Sequence, residues 1–290
     1  MSPLDLVKLT SLMERSSGTP EMIVGLIDGP VAINHPHLAT ENIRQVPGSV
    51  RSACTEANTT ACMHGTFVAG VLSAQRNTGA PAICPNCTLL VRPIFAEAAS
   101  GSGQPSAAPG ELARAIIETV DAGARVINLS VAIAQPSSGS ERGLEEALNY
   151  SARRGVIVVA AAGNQGTVGS SAITRHPWVI PVVACDLQGR TVNYSNLGSS
   201  IGRRGLSAPG DGISSFGADR KPFTLGGTSV AAPFVTGTIA LLQSVFPAAT
   251  ATKLKLAVTQ ASAPQRASIV PPLLNAWGAY QVMLTAHARG

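Results

Sequence analysis

Four polar side chains, each within two residues of a glycine, could together carry out acyl transfer: Asp28, His64, Asn164 and Ser229. A serine hydroxyl becomes a nucleophile when a neighbouring imidazole accepts its proton. A carboxylate can fix the tautomer of that imidazole, and an amide N–H can stabilise the oxyanion that forms. Each residue also has an ordinary structural explanation, as a helix cap or a turn residue. The fold must therefore bring the four together before they can do chemistry.

Ser229 lies in the segment Gly226-Gly-Thr-Ser-Val-Ala-Ala-Pro233, whose small residues predict the start of a helix. The two glycines let a substrate backbone approach closely. At a helix N-terminus, the exposed N–H groups and the helix dipole favour negative charge near the hydroxyl. Pro233 is expected in the first turn, where its missing N–H costs no hydrogen bond.

His64 lies in Met63-His-Gly-Thr-Phe-Val-Ala-Gly70, which is also predicted to open a helix. The dipole at that end disfavours the imidazolium, so we expect a neutral ring that can accept a proton at about pH 7. Asp28 ends a predicted strand in Leu26-Ile-Asp-Gly29, and Asn164 follows another strand in Ala160-Ala-Ala-Gly-Asn164.

Short apolar runs alternate with helical patterns along the chain. Continuous apolar strands separated by helices indicate a parallel sheet covered on both faces. The sequence therefore predicts a single α/β domain over residues 1–290 with a doubly wound, mostly parallel central sheet. The predicted strands are Met22–Ile27, Thr88–Ile94, Val126–Leu129 and Val156–Ala162; the predicted helices are Glu111–Ala122 and Leu144–Arg154; and the predicted loops are Ala98–Gly110 and Gln135–Ser140. Ligands bind at the carboxyl ends of such strands, which makes candidates of Asp28, Phe95, Ser130 and Gly163.

The composition excludes several classes of protein. Apolar residues make up 45% of the chain and charged residues 13%, which rules out disorder and a coiled coil. The longest apolar run, Val156–Ala162, is seven residues, whereas a membrane span needs about 20. A net charge of +5 with 4% aromatic residues does not indicate nucleic-acid binding. No basic stretch followed by an apolar one opens the chain, so we expect a cytoplasmic protein.

Four of the five cysteines lie close together in the sequence: Cys54, Cys62, Cys84 and Cys87. Two local disulfides, 54–62 and 84–87, are one interpretation. Free thiols and a shared zinc site are the alternatives, although the spacing from Cys54 to Cys62 is unusual for zinc. Cys185, in an apolar run, is expected to be a buried small residue.

Taken together, the motifs around Asp28, His64, Asn164 and Ser229 resemble the subtilisin-like serine proteases in both type and order. The resemblance covers roughly residues 20–285. It implies that Ser229 is the nucleophile, His64 the general base and Asp28 the group that orients His64. It also implies that Asn164 and the Ser229 N–H form the oxyanion hole.

The same resemblance implies a set of residues that line the substrate site: Asn128, Ser130, Val131, Ala132, Ala162 and Gly163. Phe95 to Gly101 resembles the opposing substrate-binding strand. The chain departs from the family where Val131-Ala132-Ile133 replaces the usual glycines. These larger side chains should narrow the first specificity pocket, which holds the substrate residue before the scissile bond. We therefore expect a preference for small side chains at that position.

Two segments, residues 25–37 and Ile83-Cys-Pro-Asn-Cys-Thr88, resemble more narrowly the proteases that process cyanobactin precursor peptides. One such protease removes the leader from the precursor, and a relative instead cyclises the core. The cyclising relatives carry an extra helical lid between the Asp and His motifs. Here the two motifs are 36 residues apart, and the segment from Pro47 to Cys62 does not have the pattern of a pair of helices. Leader cleavage is therefore favoured over ring closure, with a non-catalytic peptide-binding module as a third alternative.

The expected partner is a peptide or precursor-peptide substrate, and the oligomeric state is left open. Members of the family often bind calcium, but no acidic cluster in the sequence locates a site. No metal or other cofactor is therefore expected.

Overall fold

A seven-stranded sheet in the order β2-β3-β1-β4-β5-β6-β7 forms the centre of the molecule, and all its neighbouring strands are parallel. The structure, a computed structural model, describes residues 1–48, 54–97, 107–131, 138–261 and 268–288. The sheet strands are β1 (Ile23–Asp28), β2 (Ile43–Gln45), β3 (Thr88–Pro93), β4 (Val126–Leu129), β5 (Ile157–Ala161), β6 (Val179–Cys185) and β7 (Leu206–Pro209). A separate antiparallel hairpin consists of β8 (Ile213–Phe216) and β9 (Pro222–Leu225).

Helices connect the strands and cover both faces of the sheet. The short ones are α1 (Pro3–Leu6), α2 (Thr10–Met13), α6 (Ala172–Arg175), α7 (Ser199–Arg204) and a 3₁₀ turn at Thr40–Asn42. The long ones are α3 (Thr60–Ser73), α4 (Pro109–Asp121), α5 (Ser138–Arg153), α8 (Thr228–Val245), α9 (Ala251–Gln260) and α10 (Ala276–His287).

Each face of the sheet has its own apolar core. On one face, Phe67 of α3 and Phe234 of α8 pack with the even-numbered residues of β1, such as Leu26. On the other face, Ile116 of α4 packs with Ile27 of the same strand. Adjacent residues of β1 thus enter different cores, which explains why a fully buried parallel strand reads as a continuous apolar run.

The predicted doubly wound parallel sheet is confirmed, and the four predicted strands are found to within one residue at each end. Three helix starts differ from the predictions. α5 begins at Ser138, inside the predicted loop Gln135–Ser140, and α4 begins at Pro109, inside the predicted loop Ala98–Gly110. α3 begins at Thr60, so His64 lies one turn inside the helix and not at its first residue. Residues 98–106 of the other predicted loop lie outside the described residues.

The strand order reverses at β1. β3 flanks β1 on one side and β4 on the other, so the chain winds first in one direction and then in the other. The carboxyl ends of strands open into a crevice at such a switch point. Asp28 is the last residue of β1 and therefore sits at this crevice.

α8 is the one helix among the described residues that is long and apolar enough to span a membrane, with a mean hydropathy of 1.3. However, 78% of that helix is buried inside the molecule. It packs against several strands as the central helix of one core, which accounts for its apolar composition without a bilayer.

A buried ion-pair network fixes α4 against β3. The Arg92 side chain on β3 is fully buried, and its Nη2 and Nε donate to Glu111 and Glu118 of α4, each at 2.7 Å. A buried guanidinium is tolerated only when such partners offset its desolvation. The network therefore fixes α4 against β3 from its first turn, at Glu111, to its third turn, at Glu118.

Candidate active site

His64 joins Asp28 to Ser229. Its Nδ1 lies 2.7 Å from Asp28 Oδ1, and its Nε2 lies 2.9 Å from Ser229 Oγ. Asp28 is completely buried, while the His64 side chain is 26% exposed. The three side chains come from β1, α3 and α8, and the hydroxyl is 165 residues from the imidazole in sequence. The fold thus brings together the acid, base and nucleophile that the sequence predicts.

Close backbone contact places α3 against the end of β1. A Cβ added at Gly65 would lie 2.4 Å from the Gly29 carbonyl oxygen and 2.5 Å from that of Pro30. A Cβ at Gly29 would likewise overlap the carbonyl of Ala61. Only glycines allow this approach, and the approach puts His64 within hydrogen-bonding distance of Asp28.

The protonation of His64 is governed by Asp28. Burial disfavours the imidazolium, but the charge and the hydrogen bond of Asp28 outweigh it, and the pKa of His64 is raised above the ordinary 6.5. The helix-dipole argument from the sequence pointed the other way and is wrong. Its premise fails because Thr59, not His64, caps α3: the Thr59 side chain accepts from the Cys62 N–H at 3.3 Å.

Ser229 is the second residue of α8, as the sequence predicts. The preceding Gly227 has φ +146°, a backbone conformation that residues with a Cβ rarely adopt. The Ser229 N–H is one of the first four of the helix, which have no intrahelical acceptor. Pro233 is the sixth residue of α8 and not in its first turn, so it removes the N–H that would bond the Ser229 carbonyl.

Asn164 is held by Thr228, a residue to which the sequence reasoning gave no site role. Asn164 Oδ1 accepts from the Thr228 N–H at 2.9 Å and from the Thr228 hydroxyl at 3.0 Å. Thr228 Oγ1 also accepts from the Gly163 N–H at 3.1 Å. The Asn164 NH₂ group lies near the serine hydroxyl, because a Cβ added at Gly227 would be 3.2 Å from Asn164 Nδ2 and 3.4 Å from Ser229 Oγ. Only the Thr preceding the serine could have signalled this in the sequence.

The residues predicted to line the substrate site lie along the crevice, but their side chains differ in exposure. Asn128 is fully buried: its Nδ2 donates to Ser130 Oγ at 2.7 Å, and its Oδ1 accepts from Thr236 of α8 at 2.9 Å. The Asn128 side chain thus has no face toward a substrate and instead positions Ser130. Ser130, Val131, Ala162 and Gly163 lie at the ends of β4 and β5 with little exposure, and Ala132 lies outside the described residues.

The cysteines divide into two separate pairs. Cys54 and Cys62 form a disulfide, which is one of the three interpretations that the sequence left open. Cys84 and Cys87 are free, buried thiols, so the predicted 84–87 disulfide is not formed. A shared four-cysteine zinc site is excluded, because Cys62 is in the first turn of α3 while the Cys84 N–H bonds Leu72 in its last turn, about 15 Å away. Cys185 is fully buried, as expected.

A carboxylate, an imidazole and a hydroxyl in this relay, at the carboxyl edge of a parallel sheet, define a serine-hydrolase arrangement. The sequence profile of the subtilase family matches residues 19–278, and the chain belongs to that family of serine proteases. The sequence is 30% identical to Subtilisin DY of Bacillus licheniformis over 87% of each chain. It is 38% identical to a thermophilic serine proteinase of Bacillus sp. (strain AK1) over 62% of this chain, which spans 42% of that protein.

Three solved structures share the fold over nearly all of their length. A serine-to-alanine mutant of the protease domain of PatA has a TM-score of 0.83 and 30% identity, covering 93% of this chain and 97% of that one. The prenylagaramide maturation protease PagA has a TM-score of 0.81 and 29% identity, covering 94% and 98%. The PatG macrocyclase domain has a TM-score of 0.82 but 22% identity, covering 96% and 95%, so it supports the fold alone.

The Gly65 contact predicts a sensitive position outside the reacting groups. Gly65→Ala drives a Cβ into backbone carbonyls of residues 29 and 30, so α3 must shift and the His64–Asp28 bond must lengthen. We expect kcat/KM for a chromogenic peptide to fall about 100-fold. Gly143→Ala on α5, where the added Cβ would meet no atom within 4 Å beyond the neighbouring backbone of its own helix, is the matched control and should keep wild-type kcat/KM. Wild-type activity in a folded Gly65→Ala protein would contradict the stated role of this contact.

The Asn164 geometry predicts a kcat effect. Asn164→Ala removes one donor from the position next to Ser229 but leaves the Asp28–His64–Ser229 relay intact. We expect kcat to fall about 10²–10³-fold with little change in KM, since the lost bond forms mainly in the transition state. Steady-state kinetics measures both constants. A loss confined to KM would assign Asn164 to ground-state binding of the substrate instead.

Proposed function

We propose that this subtilase is an endopeptidase that uses Asp28, His64 and Ser229 as its catalytic triad and removes the leader from a ribosomal precursor peptide. The observation that carries the triad is the position of one imidazole, 2.7 Å from a buried carboxylate and 2.9 Å from a serine hydroxyl.

In the first step, His64 Nε2 accepts the Ser229 proton as Oγ attacks the scissile carbonyl. Asp28 Oδ1 accepts the Nδ1–H of the ring and keeps Nε2 in its basic form. The same carboxylate then stabilises the imidazolium. The Asp28 oxygen is itself fixed by a 2.6 Å bond from the Gly29 N–H, so the pair needs little rearrangement during the step.

The developing oxyanion takes hydrogen bonds from the Asn164 amide and the Ser229 N–H. Thr228 restrains the amide through two bonds to its oxygen, so both donors are in place before the substrate binds. The imidazolium then protonates the leaving amine, and the acyl-enzyme forms. Water, activated by the same ring, releases the acid product.

The similarity to PatA and PagA, named as maturation proteases of patellamide and prenylagaramide, supports a precursor-peptide substrate. The match covers more than nine-tenths of each chain at about the identity seen with Subtilisin DY. The segment Val131-Ala132-Ile133 predicts a narrow first specificity pocket, so we expect a small side chain just before the scissile bond.

Hydrolysis is favoured over ring closure by the open approach to His64. Ring closure requires that water be kept from the acyl-enzyme. Here the His64 side chain is 26% exposed. The segment between Asp28 and α3 contains a short 3₁₀ turn at Thr40–Asn42. After that turn, the described residues 43–48 and 54–59 form no helix that could cover His64.

The proposal is tested by labelling and by product mass. A fluorophosphonate should label the wild-type protein at Ser229 and leave Ser229→Ala unlabelled. Incubation with a synthetic leader–core precursor peptide should give two linear fragments whose masses sum to that of the peptide plus one water. Ser229→Ala should keep only the small rate that binding and the oxyanion hole supply.

Other results would assign other functions. A core fragment lighter by one water indicates a macrocyclase. Absence of labelling, with retained peptide binding, indicates a non-catalytic module. Equal rates of cleavage of casein and of the precursor would support the endopeptidase activity but contradict the proposed specificity for precursor peptides.

The pH dependence follows from the His64–Asp28 pair. Only the neutral imidazole acts as base, so activity is present above the His64 pKa and is lost as the pH falls through it. Because that pKa is raised, we expect the midpoint of the acidic limb of the kcat/KM profile to lie above pH 6.5. In Asp28→Asn only the effect of burial remains, so the limb should move to lower pH and the plateau should fall about 10⁴-fold.

The control for this experiment is Asp121→Asn, at the exposed end of α4, which should keep the wild-type profile. An unchanged limb in Asp28→Asn would show that Asp28 does not set the protonation of His64.

A further inference from the structure

The disulfide Cys54–Cys62 has a carboxylate beside it. Cys54 lies six residues before the start of α3, Cys62 lies in the first turn of α3, and Glu97 follows β3 by four residues. The two sulfur atoms and one Glu97 oxygen all lie within 4.8 Å of one another. Three segments of chain therefore converge at one point, two residues from His64.

The carboxylate of Glu97 is held in place by the loop that precedes α3. Oε1 accepts from the Thr55 N–H at 2.7 Å and from the Glu56 N–H at 3.5 Å, and Oε2 accepts from the Thr55 hydroxyl. These bonds preorganise Glu97 without any contribution from the cysteines.

Oε1 also lies 2.6 Å from Cys62 Sγ. A disulfide sulfur has no proton to donate to the oxygen, so this contact brings two electron-rich atoms together. A proton or a cation between them removes the repulsion. A thiol supplies the proton, and a metal ion bound to thiolates supplies the cation.

We propose that Cys54, Cys62 and Glu97, once the disulfide is reduced, bind a thiophilic divalent cation of the zinc type. Two thiolates and a carboxylate are ligands that zinc accepts, at about 2.3 Å for sulfur and 2.0–2.2 Å for oxygen. Tetrahedral geometry then needs ligand atoms roughly 3.3–3.8 Å apart, which the present cluster reaches with small side-chain rotations. Cys62 is fully buried, but Cys54 and Glu97 are half-buried, so solvent can supply the fourth ligand.

The two states of the cluster exclude each other. A cellular thiol reductant delivers two electrons and two protons to the disulfide and is itself oxidised to a disulfide. The metal then displaces the two thiol protons as it binds. Either cross-link, S–S or S–metal–S, ties the first turn of α3 to the chain just before it, and a metal bound by Glu97 as well would add the chain after β3. A reducing compartment would thus exchange one cross-link for another next to His64.

The other thiol pair provides an internal control. Cys84 and Cys87 are buried near the opposite end of α3, and no described carboxylate completes a metal-binding group with them. If two neighbouring thiols were enough to bind the metal, it would bind to Cys84 and Cys87 as well. The proposal instead requires Glu97 together with Cys54 and Cys62. The proposal does not depend on the peptidase function, because its readout is metal binding.

The experiment titrates the reduced, chelator-treated protein with Co²⁺, which replaces Zn²⁺ and shows thiolate charge-transfer and tetrahedral ligand-field bands. We expect one Co²⁺ per chain, displaced by Zn²⁺, in the wild type and in Cys84→Ser/Cys87→Ser. Cys54→Ser/Cys62→Ser should show no bands, and Glu97→Gln should bind at least about tenfold more weakly. The oxidised wild type, which needs no substitution to fold, should also show none.

Bands that persist in Cys54→Ser/Cys62→Ser or in the oxidised protein would overturn the site, as would the absence of bands in the reduced wild type. Wild-type affinity in Glu97→Gln would remove Glu97 from the ligand set and so contradict the proposal.

Discussion

The structure of the site depends on one buried charge. The Asp28 carboxylate has no exposure to solvent, and an unpaired carboxylate in that position would be strongly destabilising. One of its oxygens is satisfied by the Gly29 N–H and by His64 Nδ1. The imidazole therefore has two roles: it stabilises the buried carboxylate, and it can accept a proton in a reaction. The close contact of α3 with the end of β1 at Gly65 is what brings the two groups together.

The groups of the site belong to two structural halves. Asp28 and His64 lie on β1 and α3, while Asn164 and Ser229 lie after β5 and at the start of α8. Each half is fixed internally, the first by the Asp28–His64 bond and the second by the bonds between Asn164 and Thr228. The strand reversal at β1 places both halves on the same edge of the sheet.

Much of this could be predicted from local sequence patterns. The β4 strand, Val126–Leu129, was predicted at its observed bounds, because a short, mostly apolar run between two helical patterns has the length of a buried strand and is too short for a helix. What escaped prediction depends on non-local contacts. The pKa of His64 follows from a carboxylate 36 residues away and from a helix start that Thr59 sets. The burial of Asn128 follows from its bond to Thr236, on a helix 108 residues further along. Glu97 lies in the segment that resembles a substrate-binding strand, but nothing in that pattern pairs it with a cysteine, and only the fold brings it to Cys62.

The bond between His64 Nε2 and Ser229 Oγ differs from the others in the site, because it alone links the reacting groups of the two halves. Every other bond described among these groups lies within one half and can persist through a reaction cycle. The bond that must break and re-form as a proton moves is thus the one that joins the halves. Rigid halves with a single exchangeable link let the proton move without a change in the positions of the donors and acceptors around it, which keeps the reorganisation cost of the step low.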